Sequence, residues 1–201
     1  MSIVSLFLGE LNMKIVAIWN PKGGQGKTTI SLNLAAAASK LGLKTVVISR
    51  DIQDDEAMKE FGRGSYPFDI YQGVPRDKPD ADLIIIDHPA GDRNAPETTK
   101  VICPIVPCKL DYRTYAQSKH VLTDSGKEII EVCSRGDMRV RDEREFIRLM
   151  RKQGASSVRR RSTFVNAHNT NKTIFDKSFD RVGKIGEPRA EIEGLLARAL
   201  S

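Results

Sequence analysis

The sequence predicts an α/β domain: a three-layer, doubly wound, mostly parallel sheet with helices on both faces. Three observations lead there. Short apolar runs recur at residues 15–19, 46–48, 83–86 and 101–106, and unbroken apolar strands belong to sheets covered on both sides. The first run passes into a glycine-rich turn and then into the alanine-rich stretch 30–41, which favours helix. Two of the runs lead into acids, Asp51 shortly after the second and Asp87 directly after the third, at the edge where open α/β sheets gather ligand groups. A chain of 201 residues suffices for one such domain with a sizeable core.

The turn reads Lys22-Gly23-Gly24-Gln25-Gly26-Lys27-Thr28-Thr29. Strand, glycine-rich turn and helix in that order form the setting of a phosphate-binding loop. Glycines let the backbone curl so that successive N–H groups face an anion, and the helix adds the positive end of its dipole. Lys27 then reaches the β- and γ-phosphates and the Thr28 hydroxyl ligates Mg²⁺. In the general pattern a glycine stands ahead of the last Gly-Lys with four residues between them. Here that place is held by Pro21, with Lys22 next.

That variant resembles the deviant Walker A loop of the ParA/MinD family of dimerising ATPases, and Asn20-Pro21 ahead of it is similar to the small ParA-type partition proteins. The string Pro-Ile-Val-Pro-Cys-Lys-Leu-Asp-Tyr at 104–112 also looks like ParA. The resemblance implies a P-loop NTPase fold with ATP and Mg²⁺ as cofactors, nucleotide held along residues 23–29 by Gly23, Gly24, Gln25, Gly26, Lys27, Thr28 and Thr29, and slow, partner-stimulated hydrolysis. It implies that ATP is sandwiched in a homodimer, with Lys22 crossing to the nucleotide of the other subunit, where a cation stabilises the transferring phosphoryl group. It further implies non-specific DNA binding, a small DNA-binding adaptor that stimulates hydrolysis, and a cytoplasmic, nucleoid-associated protein that partitions a plasmid or chromosome. ATPases serving conjugative or viral DNA transfer, and non-hydrolysing modules that dimerise on ATP, share these motifs.

The remaining elements follow in order. Residues 45–48 form the second strand. Asp51 and Gln53 match the family's second acid and glutamine, while Ser49 replaces its first acid and Ile52 a proline. Asp51 thus activates or positions the attacking water, or else caps a helix beginning near Asp54. Residues 66–71 read as an edge strand with Pro67 at its border. The apolar strand 83–86 closing on Asp87 matches a Walker B element, with Asp87 holding Mg²⁺ through water. His88 follows, in the place of the family's second switch loop, and reads as an incidental loop residue. The polar stretch 93–100 holds only a brief helical candidate, which shortens the next crossover, and 101–107 is the next strand. Residues 116–133 read as one helix with Val121, Leu122, Ile129 and Ile130 on a stripe.

The net charge is +6, and the segment 135–161 holds ten Lys or Arg against four Asp or Glu, a local net of +6. Phe146, Ile147, Leu149 and Met150 give this segment an apolar face, so it reads as an attached basic helix. Arg148, Arg151, Lys152, Arg159, Arg160 and Arg161 are the candidate nucleic-acid contacts. Residues 163–165 read as a strand ending at Asn166, placed against the adenine, and 182–185 as a last short strand. Gly186-Glu187-Pro188-Arg189 resembles the family's loop beside the base, with Pro188 touching it. The C-terminal Ile192, Leu195, Leu196, Ala199 and Leu200 fall at helical spacing and pack on the domain, since Glu191 and Glu193 suit no anionic bilayer. Residues 1–12 read as an extension ahead of a single domain spanning 13–201. The three cysteines form no metal-type pair, which disfavours an iron–sulfur dimer of the nitrogenase-reductase type.

Overall fold

The computed structural model describes residues 13–50 and 66–201. Among these, seven strands make one sheet: β1 (Lys14–Ile18), β2 (Thr45–Ser49), β3 (Asp69–Gln72), β4 (Leu83–Asp87), β5 (Lys100–Ile105), β6 (Glu128–Gly136) and β7 (Ser156–Arg159). Their order is β3-β2-β4-β1-β5-β6-β7, and every neighbouring pair is parallel. The helices are α1 (Lys27–Lys40), α2 (Lys109–Asp124), α3 (Arg141–Lys152), α4 (Ser162–Asn169) and α5 (Gly186–Leu200). The predicted doubly wound α/β architecture is therefore present.

Strand periodicity divides the core. Val16 and Ile18 of β1 join α1 and α5 on one face, through Ile30, Leu34, Ile192 and Leu195. Ala17 and Trp19 face the other way, packing with Tyr115 and Leu122 of α2 and Ile147 and Met150 of α3. The alanines 35–38 of α1 are at most 2% exposed; small side chains let this helix lie close against the sheet. Gly42, at φ 86°, ends α1. Its N–H donates to Ser39 O and that of Leu43 to Ala38 O, a Schellman closure. The C-terminal helix packs on the domain as its spacing predicts, with Ile192, Leu195, Leu196 and Ala199 buried. No described helix is long and apolar enough to cross a membrane.

The second half of the chain departs from the sequence reading. The expected helix 116–133 is the end of α2 followed by β6. Gly126, at φ 64°, breaks the helix, and the run from Ile129 to Cys133 pairs in parallel register with β5. Two isoleucines in a row satisfy either a helical stripe or a strand, and the free edge of β5 decides for the strand. The basic segment 135–161 is not one helix but the end of β6, then α3, then β7. Residues 163–165 lie inside α4, and 182–185 form turns rather than a strand. Between β4 and β5 there is no helix, so the brief helical candidate in 93–100 is not realised, although the crossover is short as expected.

One local constraint bears on the site. In β6, Ser134 pairs with Val158 and Gly136 with Arg159, so Arg135 is the extra residue of a bulge. A Cβ on Gly136 would stand 2.5 Å from Ile147 Cδ1 and 2.9 Å from Pro107 Cγ. Gly136→Ala is therefore expected to destabilise by about 1–3 kcal/mol through overpacking. A thermal melt checks this; an unchanged midpoint would mean that α3 yields freely.

Candidate nucleotide-binding site

The loop 20–29 is built from buried anchors. Asn20 is fully buried; its Nδ2 donates to Pro104 O at 2.7 Å, and its Oδ1 accepts from Lys22 N at 2.9 Å. Gln25 is 2% exposed. Its Oε1 accepts from Val106 N at 2.9 Å, while Nε2 donates to Asp111 Oδ1 at 2.9 Å and to Gly23 O at 3.3 Å. The loop thus hangs from the end of β5. Gly24 and Gly26 take φ values of 73° and 84°, which other residues adopt only with strain. Gly26 caps α1, so Lys27, Thr28 and Thr29 form the first helical turn, where unpaired amides and the dipole favour an anion. Lys27 is 8% exposed, and its Nζ donates to Lys22 O at 3.4 Å. The Lys22 ammonium pairs with Asp111 Oδ1.

Asp87 ends β4 opposite Ile18 of β1 and Ser49 of β2 and is 3% exposed. Thr28 and Asp87 offer a hydroxyl and a carboxylate, hard oxygen donors of the kind Mg²⁺ takes together with water and phosphate. Those residues fit that ion. Asp51 and Gln53 lie outside the described residues. Ser49, where the family resemblance expects an acid, is buried at the end of β2.

His88, which the sequence presents as an incidental loop residue, is 3% exposed, and its Nδ1 lies 2.9 Å from Asp92 Oδ2. Burial pushes the imidazole below its ordinary value; the Asp92 hydrogen bond opposes this, and the cations Arg50 and Lys27 add to the depression. A neutral ring beside a carboxylate must donate from Nδ1. The same loop is tied to the phosphate loop, with Gly91 N donating to Pro21 O at 2.8 Å. Asp111, Asp92 and Arg135 are the site residues that sequence reasoning missed, and His88 is one that it set aside. Asp111 stands inside the ParA-like string and was within reach; Asp92 and Arg135 carry no local signal.

Beside Gly26 and Thr29 opens a cleft of about 270 Å³, bounded by Ser134, Arg135, Phe164 and His168. It lies against the start of α1. Asn166 is exposed on α4 and is not among the residues that line the cleft. Pro188 is buried in the first turn of α5, likewise away from the lining. Local pattern placed Asn166 at a strand end and the family resemblance placed Pro188 in a loop; the backbone at both is helical.

The six candidate nucleic-acid residues separate into two groups. Arg148, Arg151 and Lys152 are exposed on α3, and Arg160 is exposed at the cleft. Arg159 and Arg161 are engaged within the molecule. Arg159 Nε bonds Glu191 Oε1 at 2.7 Å and Arg161 Nη1 bonds Glu191 Oε2 at 2.6 Å, with Glu187 as a second acid for both. This network joins β7 and α4 to α5.

Residues 13–88 match the model of a family described as an AAA domain. A Borrelia burgdorferi protein assigned to plasmid partition, bound to AMPPNP, superposes with a TM-score of 0.69 at 15% identity, over 92% of this chain and 99% of that one. The chain has the ParA/MinD fold. The Pyrococcus furiosus cell division ATPase MinD superposes with a TM-score of 0.67 at 17% identity, over 94% and 99% of the two chains. In sequence, an iron-sulfur cluster carrier protein of Pyrococcus furiosus is 39% identical over 56 residues, 28% of this chain. That match spans only 18% of the carrier's length. Within the ParA/MinD fold of this chain, Cys103 and Cys133 are buried free thiols. Burial pushes Cys103 up and raises Cys133 to about 12, so both thiols are protonated at neutral pH.

Burial alone would raise Glu191, but hydrogen bonds from Arg161 and Arg159 outweigh it and hold its carboxyl below the ordinary 4.5. A depressed carboxylate contributes stability that is complete above its unfolded value and lost as pH falls through the native one. Glu191→Gln is therefore expected to cost about 1–2 kcal/mol at pH 7, and the difference from the parent should shrink as pH drops below about 4.5. Melting both proteins from pH 7 to pH 3 tests it; a pH-independent difference would refute the clamp.

Proposed function

We propose that this protein is an ATPase of the ParA type that dimerises on Mg·ATP, binds DNA without sequence preference and drives partition or positioning of a plasmid or chromosome. Hydrolysis is slow and is stimulated by a small DNA-binding adaptor. One observation supports the reading above others: Lys22, Lys27, Thr28 and Asp87 converge at the carboxyl edge of β1 and β4, on a loop pinned by Asn20 and Gln25. Lys27 and the α1 amides hold the phosphates. Thr28 and Asp87 hold Mg²⁺, which neutralises phosphate charge. Lys22 serves the nucleotide of the second copy, and to reach it must exchange Asp111 for that phosphate. DNA meets α3 through Arg148, Arg151 and Lys152, which are exposed; Arg159 and Arg161 serve the fold instead.

A second reading, a module that dimerises on ATP without hydrolysing it, draws on buried Ser49 at the end of β2. No carboxylate at that place acts on water. Phosphate release in the presence of DNA and adaptor decides between the two readings.

Lys27→Ala should weaken Mg·ATP binding on the order of 100-fold, since the variant has no buried ammonium to bond the phosphates. Lys22→Ala should leave binding to the monomer intact and abolish the ATP-dependent dimer. Equilibrium binding and analytical ultracentrifugation measure both; a normal ATP dimer of Lys22→Ala would overturn the trans role. On the DNA side, the triple change of Arg148, Arg151 and Lys152 to Glu should weaken random duplexes alike. It should also flatten the salt dependence by about 0.9 in log–log slope for each phosphate no longer neutralised. Unchanged affinity across several salt concentrations would place the DNA face elsewhere.

A further inference from the structure

Three non-glycine residues among those described have positive φ, namely Arg135, Asn171 and Lys184. Only Arg135 stands at the cleft beside the phosphate loop. Its φ is 60°, a left-handed conformation that costs any residue with a Cβ, and such outliers persist where the surroundings over-determine them. Here they do. Arg135 is the extra residue of the β6 bulge, and Gly136 after it is wedged against Ile147 and Pro107. The bulge re-aims the arginine out of the sheet toward the loop. Its Nη1 donates to Gly24 O at 2.7 Å, and its stem lies over Gly26, where an added Cβ would stand 3.6 Å from Cδ and 3.7 Å from Cγ.

The bond has a consequence one atom further along the chain. A trans peptide is planar, with its C=O and N–H pointing in opposite directions. The Gly24 carbonyl and the Gln25 amide share one such peptide, so holding the carbonyl toward Arg135 turns the amide the other way. The Gln25 side chain restrains the same peptide from within, through Val106 and Asp111. Gly24 has no Cβ to bias its own torsions, so without Arg135 this peptide retains one anchor instead of two.

We propose that Arg135 is a positioning residue for nucleotide binding. It locks the Gly24–Gln25 peptide with the carbonyl outward, which presents the Gln25 amide to the phosphates before they arrive. This rests on the phosphate-loop reading above. Because the amide is aimed in advance, the nucleotide does not bear the cost of ordering it. The left-handed backbone of Arg135 is the strain that accompanies this arrangement.

The test compares Arg135→Ala, Arg135→Gly and Lys27→Ala with the parent, reading Mg·ADP affinity by calorimetric titration and the melting temperature without nucleotide. Both Arg135 variants lose the guanidinium, and each should bind Mg·ADP about 10-fold more weakly. Glycine also relieves the positive φ, so Arg135→Gly should melt about 2–4 °C above Arg135→Ala and yet bind no better. A merely structural arginine would instead make affinity follow the melting temperature, with the glycine variant binding markedly better than the alanine one. That result overturns the inference, and so does parental affinity in both variants. If the parent binds Mg·ADP and Lys27→Ala does not, such a failure belongs to Arg135 alone. If the parent does not bind, the phosphate-loop reading falls, and this inference with it.

Discussion

Gln25 is the joint from which the phosphate loop hangs. Its amide group is buried and fully used, accepting from the first backbone N–H beyond β5 and donating to Asp111 and Gly23. A glycine-rich loop has little conformational preference of its own, so its shape must come from outside. Gln25 supplies that shape by tying the loop to β5, the strand next to β1. Asn20, just past the end of β1, repeats the device by bonding Pro104 O and Lys22 N. The first turn of α1 inherits its direction from these anchors, and the placement of Lys27 and Thr28 follows.

Asp111 connects this scaffold to the charge of the site. One carboxylate oxygen receives both the Gln25 amide and the Lys22 ammonium. A half-buried carboxylate shared in this way holds the loop and gives Lys22 a partner within its own chain. The loop after β4 is bound in as well, through Gly91 N to Pro21 O and the His88–Asp92 pair. Strand ends from β1, β4 and β5 are therefore cross-linked by side chains and loop amides at one edge of the sheet. An anion arriving there meets groups whose positions are already determined, which is the condition for strong electrostatic recognition.

The basic character of the chain divides by position rather than by composition. Arg159 and Arg161 are spent on Glu187 and Glu191, holding β7 and α4 against α5. Arg135 bonds the phosphate loop. Arg148, Arg151 and Lys152 stay exposed along α3. A net charge of +6 thus covers different physical roles, and the cations of α3 are the ones left without a part in holding the fold or the loop.

What the sequence determined by itself lies mostly in its first half. The motif 22–29, the runs closing on Ser49 and Asp87, and the alanine-rich helix are local patterns, each specified by neighbours a few residues away. They sufficed for the parallel sheet, an end of α1 near residue 41 and the places of Lys27, Thr28 and Asp87 at strand and helix ends. Ile129 and Ile130 were misread because two adjacent apolar residues serve a helix stripe or a buried strand equally; pairing with β5 chose the strand. The strand read at 163–165 and the loop read at 186–189 were misread for a related reason, since α4 and the start of α5 are settled by packing and by the Arg–Glu network rather than by local propensity. Arg135 lies 111 positions from Gly24, and no spacing rule reaches that far. Only the bulge, the wedge of Gly136 and the juxtaposition of β6 with the loop bring that guanidinium to that carbonyl, because contacts between distant segments exist only once the sheet has set its strand order.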